Sequence, residues 1–183
     1  EDNEAHCDGL YGINLGEGVN RVGPDEHHPF VMKNTKIWEI HYAFRVQSPT
    51  VLVDNMKIHR SVYGVYHPNF DRHVYRNIVI SQSDRNGDAE PFNRGHDDDS
   101  VQYGSLTVDG LTFVGHQNSG MPLIQMTDDN PTGAAETHLR NVQVVDRKDG
   151  NRRALVNLGG GPRPKPKSPT SVPVTLHDYY GPG

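Results

Sequence analysis

"NTKIWEIHYAF" (34–44) and "NMKIHRSVYGV" (55–65) are one phrase written twice. Each opens on an asparagine and reaches a tyrosine eight residues later, Tyr42 after Asn34 and Tyr63 after Asn55. The phrase returns as "NIVISQS" (77–83), "GLTFVGH" (110–116) and "NVQVVDR" (141–147), at steps of 21, 22, 33 and 31 residues. The first and third positions after each anchor are Thr35 and Ile37, Met56 and Ile58, Ile78 and Ile80, Leu111 and Phe113, Val142 and Val144. Alternation with period two points such pairs to one side of a strand, and stacked copies pile them into one apolar column. A repeat of roughly 20 to 35 residues built only from strands and turns is the signature of a β-solenoid. The expected fold is therefore all-β, a right-handed parallel β-helix of about six rungs, its hand taken from the general preference of parallel crossovers.

The rest of the chain fits around this frame. A second strand follows each bend: "YGINL" from Tyr11, "YAFRV" from Tyr42, "YGVYH" from Tyr63, "MPLIQM" from Met121 and "RALVNL" from Arg153. "VPVTLHDYYGPG" (172–183) reads as one more strand and turn. Asn3, eight residues before Tyr11, is the expected anchor of the opening stretch, so the sequence reads as starting inside a rung of a longer protein. The anchors are expected to lie above one another and pass amide hydrogen bonds along the stack, with Gly110 as a gap. A turn role for each asparagine is the plainer alternative. Two long loops leave the stack at about 84–104 and 127–138, and a Pro-rich basic loop occupies 159–173. The 183 residues form a single β-helix domain on this reading.

Composition sets outer limits. Only 33% of residues are hydrophobic, which thin rungs with few core positions each explain. A net charge of -5 gives no ground for a nucleic-acid partner. No apolar run approaches the roughly 18 residues that a spanning helix needs, so no membrane span is expected. The single cysteine leaves no internal disulfide and no reading of the compartment.

The solvent-facing offsets carry the candidate chemistry. Stacked neighbours lie about 4.8 Å apart, which puts Lys36 beside Lys57 and Trp38 beside His59. The second strand lines up Asn14, Arg45 and Tyr66. Paired lysines repel unless an anion lies across them, and an aromatic face suits a pyranose ring. Lys36, Trp38, Lys57, His59, Arg45 and Tyr66 are accordingly the candidate ligand-binding residues, with an acidic polysaccharide as the partner. Lysines splayed into water and a tryptophan under a loop are the plainer reading of the same residues. Glu39 and Arg60 share the fifth offset and should form a cross-rung ion pair. Asp84, Asn86 and Asp88 space oxygen donors like the start of a calcium loop, although the glycine at 87 and the absence of a twelfth-position glutamate depart from the EF-hand pattern. Calcium is the one cofactor these residues could hold. The eleven histidines are scattered, without metal-ligand or catalytic spacing, and most should lie on rung surfaces.

"DNEAHCDGLYGINLGEGVN" (2–20), "HPFVMKNTKIWEIHYAFRV" (28–46) and "GGGPRPKPKSPTSVPVTLHDYYGPG" (159–183) resemble the β-helix region of G8-domain proteins. That group includes cell-surface hyaluronidases and large secreted bacterial proteins. The resemblance spans nearly the whole chain, lacks the G8 domain itself and carries no catalytic motif. It implies a broader kinship with pectate-lyase-like solenoids, which cleave, epimerise or merely bind polysaccharides. On that basis the expected function is an extracellular, periplasmic or cell-surface module that binds or processes uronic-acid glycans, with the remaining rungs of a parent chain as a further partner. If catalytic, it would be a polysaccharide lyase or glycoside hydrolase. The alternative is a non-catalytic structural or adhesive solenoid.

Overall fold

The computed structural model describes residues 1–7, 9–15, 24–25, 27–46, 48–66, 72–82, 91–93, 105–116, 122–125, 137–145, 154–157 and 174–180. Within them the chain is all β, with no helix. The first strands are β1 (Glu4–His6), β2 (Tyr11–Leu15), β3 (Phe30–Trp38), β4 (Tyr42–Val46), β5 (Thr50–His59), β6 (Tyr63–Tyr66) and β7 (Arg72–Ser81). They are followed by β8 (Phe92–Asn93), β9 (Ser105–Val114), β10 (Ile124–Gln125), β11 (Thr137–Val145), β12 (Val156–Asn157) and β13 (Val174–Tyr180). Odd-numbered strands make one seven-stranded sheet and even-numbered strands a six-stranded one, each in chain order. Every pairing is parallel. Each odd strand with the even strand that follows it forms one level of the molecule.

The long strands bend because of their anchors. Asn34, Asn55, Asn77 and Asn141 have φ between 51° and 58°, and Gly110 has φ 81°. Asparagine is among the few side chains that enter the left-handed region readily, and glycine enters it freely. One such residue uses up a place in the alternation and turns the strand. Before the anchor the second and fourth positions back are buried, as in Val51 and Val53 or Leu106 and Val108. After it the first and third positions are buried, as expected from the repeat: Thr35, Ile37, Met56, Ile58, Ile78, Ile80, Leu111, Phe113 and Val142 are all at 1% exposure or less. Val144, at the last such position, is only half-buried.

Five residues after each of the first five anchors comes a second left-handed position, at Cys7, Glu39, Arg60, Gln82 and Gly115. Their N–H groups donate to the next level's backbone: Cys7 to Trp38 O (3.3 Å), Glu39 to His59 O (3.0 Å), Arg60 to Ser81 O (2.9 Å), Gln82 to Val114 O (3.1 Å) and Gly115 to Val145 O (3.0 Å). Both sheets then close over one apolar core. Phe44, Val65, Phe92 and Ile124 of the short sheet pack in the same cluster as Ile37, Ile58, Ile80 and Phe113 of the long one.

Several sequence expectations need correction. The first anchor is Asp2 rather than Asn3: Glu4 pairs with Lys36, Asp2 has φ 57°, and Asn34 Nδ2 donates to Asp2 Oδ1 at 3.0 Å. Tyr11 does align with Tyr42, so the first level carries one extra residue between Cys7 and Tyr11, and counting back from the tyrosine lands one place late. Asp178, at φ 52° and opposite Asn141 by the flanking register, is a seventh anchor that the motif did not reveal. The 84–104 segment is not one loop, because β8 lies inside it with Phe92 fully buried. The loop placed at 127–138 likewise ends on Thr137 and His138, which belong to β11. The 159–173 segment lies outside the described residues. Most of the described histidines are at least partly exposed, as expected, but two belong to the core. His73 Nε2 donates to Ser48 O at 2.8 Å, and His116 Nε2 to Ile80 O at 2.9 Å.

Candidate functional site

The register places the candidate residues on two separate faces. On the long sheet Lys36 pairs with Lys57 and Trp38 with His59. On the short sheet Asn14 pairs with Arg45 and Arg45 with Tyr66. The vertical neighbours are those the repeat implies. Lys36, Trp38, Lys57 and His59 thus lie on the long sheet and Arg45 and Tyr66 on the short one.

What the side chains do along the stack changes their meaning. Lys36 Nζ lies 2.9 Å from Glu4 Oε1, and that hydrogen bond, with the carboxylate's charge, raises the ammonium's pKa. The Trp38 indole is half-buried and stacks on the His6 ring at 4.3 Å and 8°. One face of the indole is therefore covered. His59 Nδ1 and Ser81 Oγ of the next level lie 2.8 Å apart. Among the described residues no carboxylate comes within ion-pair distance of Lys57, in contrast to its neighbour Lys36.

Glu4 and His6 were missed for a physical reason. With Asn3 as anchor, Glu4 falls on an inward offset; with Asp2 as anchor, it falls outward beside Lys36. A slip of one residue in a strand exchanges its two faces.

The short-sheet face is an aromatic cluster. Tyr11, Tyr42 and Tyr63 are stacked in register, with ring centroids 5.3 and 4.8 Å apart. Arg45 lies over Tyr11 at 5.3 Å. His41 meets Tyr42 and Tyr63 edge-on at 4.4 and 5.6 Å. Tyr66 was expected to face outward; it is only 8% exposed, because its ring leans on Tyr42 and Tyr63 at 4.8 and 5.1 Å. Burial, reinforced by Tyr11, raises the pKa of the Tyr42 phenol, while Arg45 and a hydrogen bond with Tyr66 pull it back. Rings stacked face to face leave only their edges to solvent, so this cluster is built for cohesion more than for holding a sugar ring.

Glu39 and Arg60 form the expected cross-level pair at 3.4 Å, and the Cys7 thiol donates to Glu39 Oε2 at 3.8 Å. Asp84, Asn86 and Asp88 lie outside the described residues. Among the described residues no group of three or more His, Cys, Asp or Glu side chains could hold a metal ion, and no helix is long and apolar enough to cross a membrane. Comparisons with protein-family models, curated proteins and solved structures return no match for this chain.

Proposed function

We propose that the two sheets are faces of one right-handed parallel β-helix, and that this stack serves as a rigid, non-catalytic module of a secreted or cell-surface protein. Kinship with the β-helix region of G8-domain proteins belongs to the same proposal, and the spacing of the levels supports it. One observation carries the functional part: the outward side chains are largely engaged with their own vertical neighbours. Glu4 engages Lys36, His6 covers Trp38, Glu39 meets Arg60, and Tyr11, Tyr42 and Tyr63 stack on each other. Groups committed to neighbouring levels stiffen the stack and are less available to a ligand. Two sheets over a shared core resist bending, which suits a spacer or a platform for other domains.

A second reading, recognition of an acidic glycan, is favoured by Lys57. It stands in register with another cation and, among the described residues, has no carboxylate within ion-pair distance, so a uronate passing across Lys36 and Lys57 would relieve their repulsion.

The test is incubation of the purified chain with hyaluronan, pectate and alginate, with and without calcium, following retention and glycan length. The scaffold reading expects neither retention nor shortening. Retention abolished by Lys57→Ala would move the function to the second reading. Shortened glycans would contradict the non-catalytic proposal itself.

A further inference from the structure

The residue just before each anchor carries a second pattern. Along the long sheet it is Glu1, Lys33, Asp54, Arg76, Asp109 and Arg140, so its charge alternates over the first six levels; before the seventh anchor, Asp178, it is His177. Alternation is not a general rule of this surface, since Lys36 and Lys57 are direct neighbours two places after their anchors. The anchors keep the same beat. Every basic level carries asparagine (Asn34, Asn77, Asn141), whereas the acidic levels carry Asp2, Asn55 and Gly110.

Hydrogen bonds join the two patterns. Asn34 Nδ2 donates to Asp2 Oδ1 at 3.0 Å, Asn77 Nδ2 to Asp54 Oδ1 at 2.9 Å, and Asn141 Nδ2 to Asp109 Oδ1 at 2.7 Å. Each time an amide on a basic level meets a carboxylate on the acidic level before it. Asn77 and Asn141 reach the residue before the anchor for this, which is why the ladder does not run simply from anchor to anchor. At the first of these junctions Lys33 also approaches Glu1 at 3.7 Å. The intervening junctions are poorer. Asn55 Nδ2 finds only the neutral amide of Asn34, at 2.9 Å. Gly110 has no side chain to offer Asn77, and Asp178 has no amide to offer Asn141. A donor bonded to a carboxylate is held more tightly than one bonded to a neutral oxygen.

We propose that this corner is a series of locks tying the levels in twos, β1 to β3, β5 to β7 and β9 to β11. The seams between β3 and β5, β7 and β9, and β11 and β13 are then the planes along which the stack opens. Gly110 marks the weakest internal seam, because the anchor of that level has no side chain to reach back to Asn77. The levels thus open as pairs, and a strain on the stack is released between pairs rather than within them.

Native-state hydrogen exchange on the full chain tests this. In the unsubstituted protein, amides bonded across the β7–β9 seam should exchange faster than those across the β5–β7 lock. Asp54→Ala removes one lock without touching a left-handed position. Exchange at the β5–β7 corner should then rise about tenfold, while the β9–β11 corner is unchanged. Asp54→Asn, which keeps an acceptor but not its charge, should give a smaller rise at the same place and serves if the alanine variant folds poorly. Lys57→Ala, on the same strand but outside the corner, should change neither. Equal protection of locks and seams in the unsubstituted protein would overturn the proposal. So would an Asp54→Ala effect spread evenly over the long sheet.

Discussion

The two sheets reach the same core by different means. From β3 to β11 the long strands run nine or ten residues, whereas the short ones shrink from five in β2 and β4 to two in β8, β10 and β12. Yet Phe92, on a two-residue strand, is as fully buried as Phe113 on a ten-residue one. The long sheet keeps its order through its two left-handed columns and the hydrogen bonds they make. The short sheet relies on close approach and ring stacking. A Cβ on Gly64 would sit 2.2 Å from the carbonyl oxygen of Pro91, and one on Gly12 2.6 Å from that of Ala43. Strand length therefore says little about what a strand contributes; the side chain it delivers to the core says more.

The sharpest way to break this comparison is to empty the core from either side. Phe92→Ala and Phe113→Ala should each cost about 3–5 kcal/mol in chemical denaturation, the two values lying within about 1 kcal/mol of each other. A much smaller loss for Phe92 would mean that the short sheet is a passenger on the long one. Gly64→Ala comes next: backbone must move away from the new methyl, at a cost of about 1–3 kcal/mol, and the damage should centre on β6 and β8. Asn55→Ala removes an amide bond and puts alanine at φ 58°, which together should cost about 2 kcal/mol, seen as a lower denaturation midpoint. The smallest effect belongs to Glu39→Gln. That pair is exposed to water, so the loss should stay under about 0.5 kcal/mol and vanish in molar salt.

Legibility follows the same division. The long strands could be read because each repeats a left-handed asparagine followed by inward residues at fixed offsets, and Asn34, Asn55, Asn77 and Asn141 all announce it. Gly110 was found because its apolar followers survive. Asp2 and Asp178 were not, since aspartate breaks the letter of the motif while filling the same backbone place. In the short sheet "YGINL" and "YAFRV" match β2 and β4 residue for residue, but β8 has only Phe92 and Asn93 and offers no period to detect. At the candidate site, the pairs Lys36 with Lys57 and Trp38 with His59 follow from register alone. What those side chains had already found as partners did not. That depended on one extra residue between Cys7 and Tyr11, which no repeat could signal, and on ring orientations that spacing does not carry.

The claim beneath all of this is that each level lies directly on the next, with residues 22 apart in sequence facing each other on β5 and β7. Cysteine pairing measures it most directly. In a Cys7→Ser background, Lys57→Cys with Val79→Cys joins two positions in register on the same outward row. Their Cα atoms should stand about 4.8 Å apart, inside the usual disulfide range of about 4.4–6.8 Å. Mild oxidation should close an intrachain disulfide, read as a loss of both free thiols at monomer mass. Lys57→Cys with Ile80→Cys, one residue out of register and on the opposite face, should stay reduced. A bond in the second pair, or none in the first, would contradict the stacked arrangement.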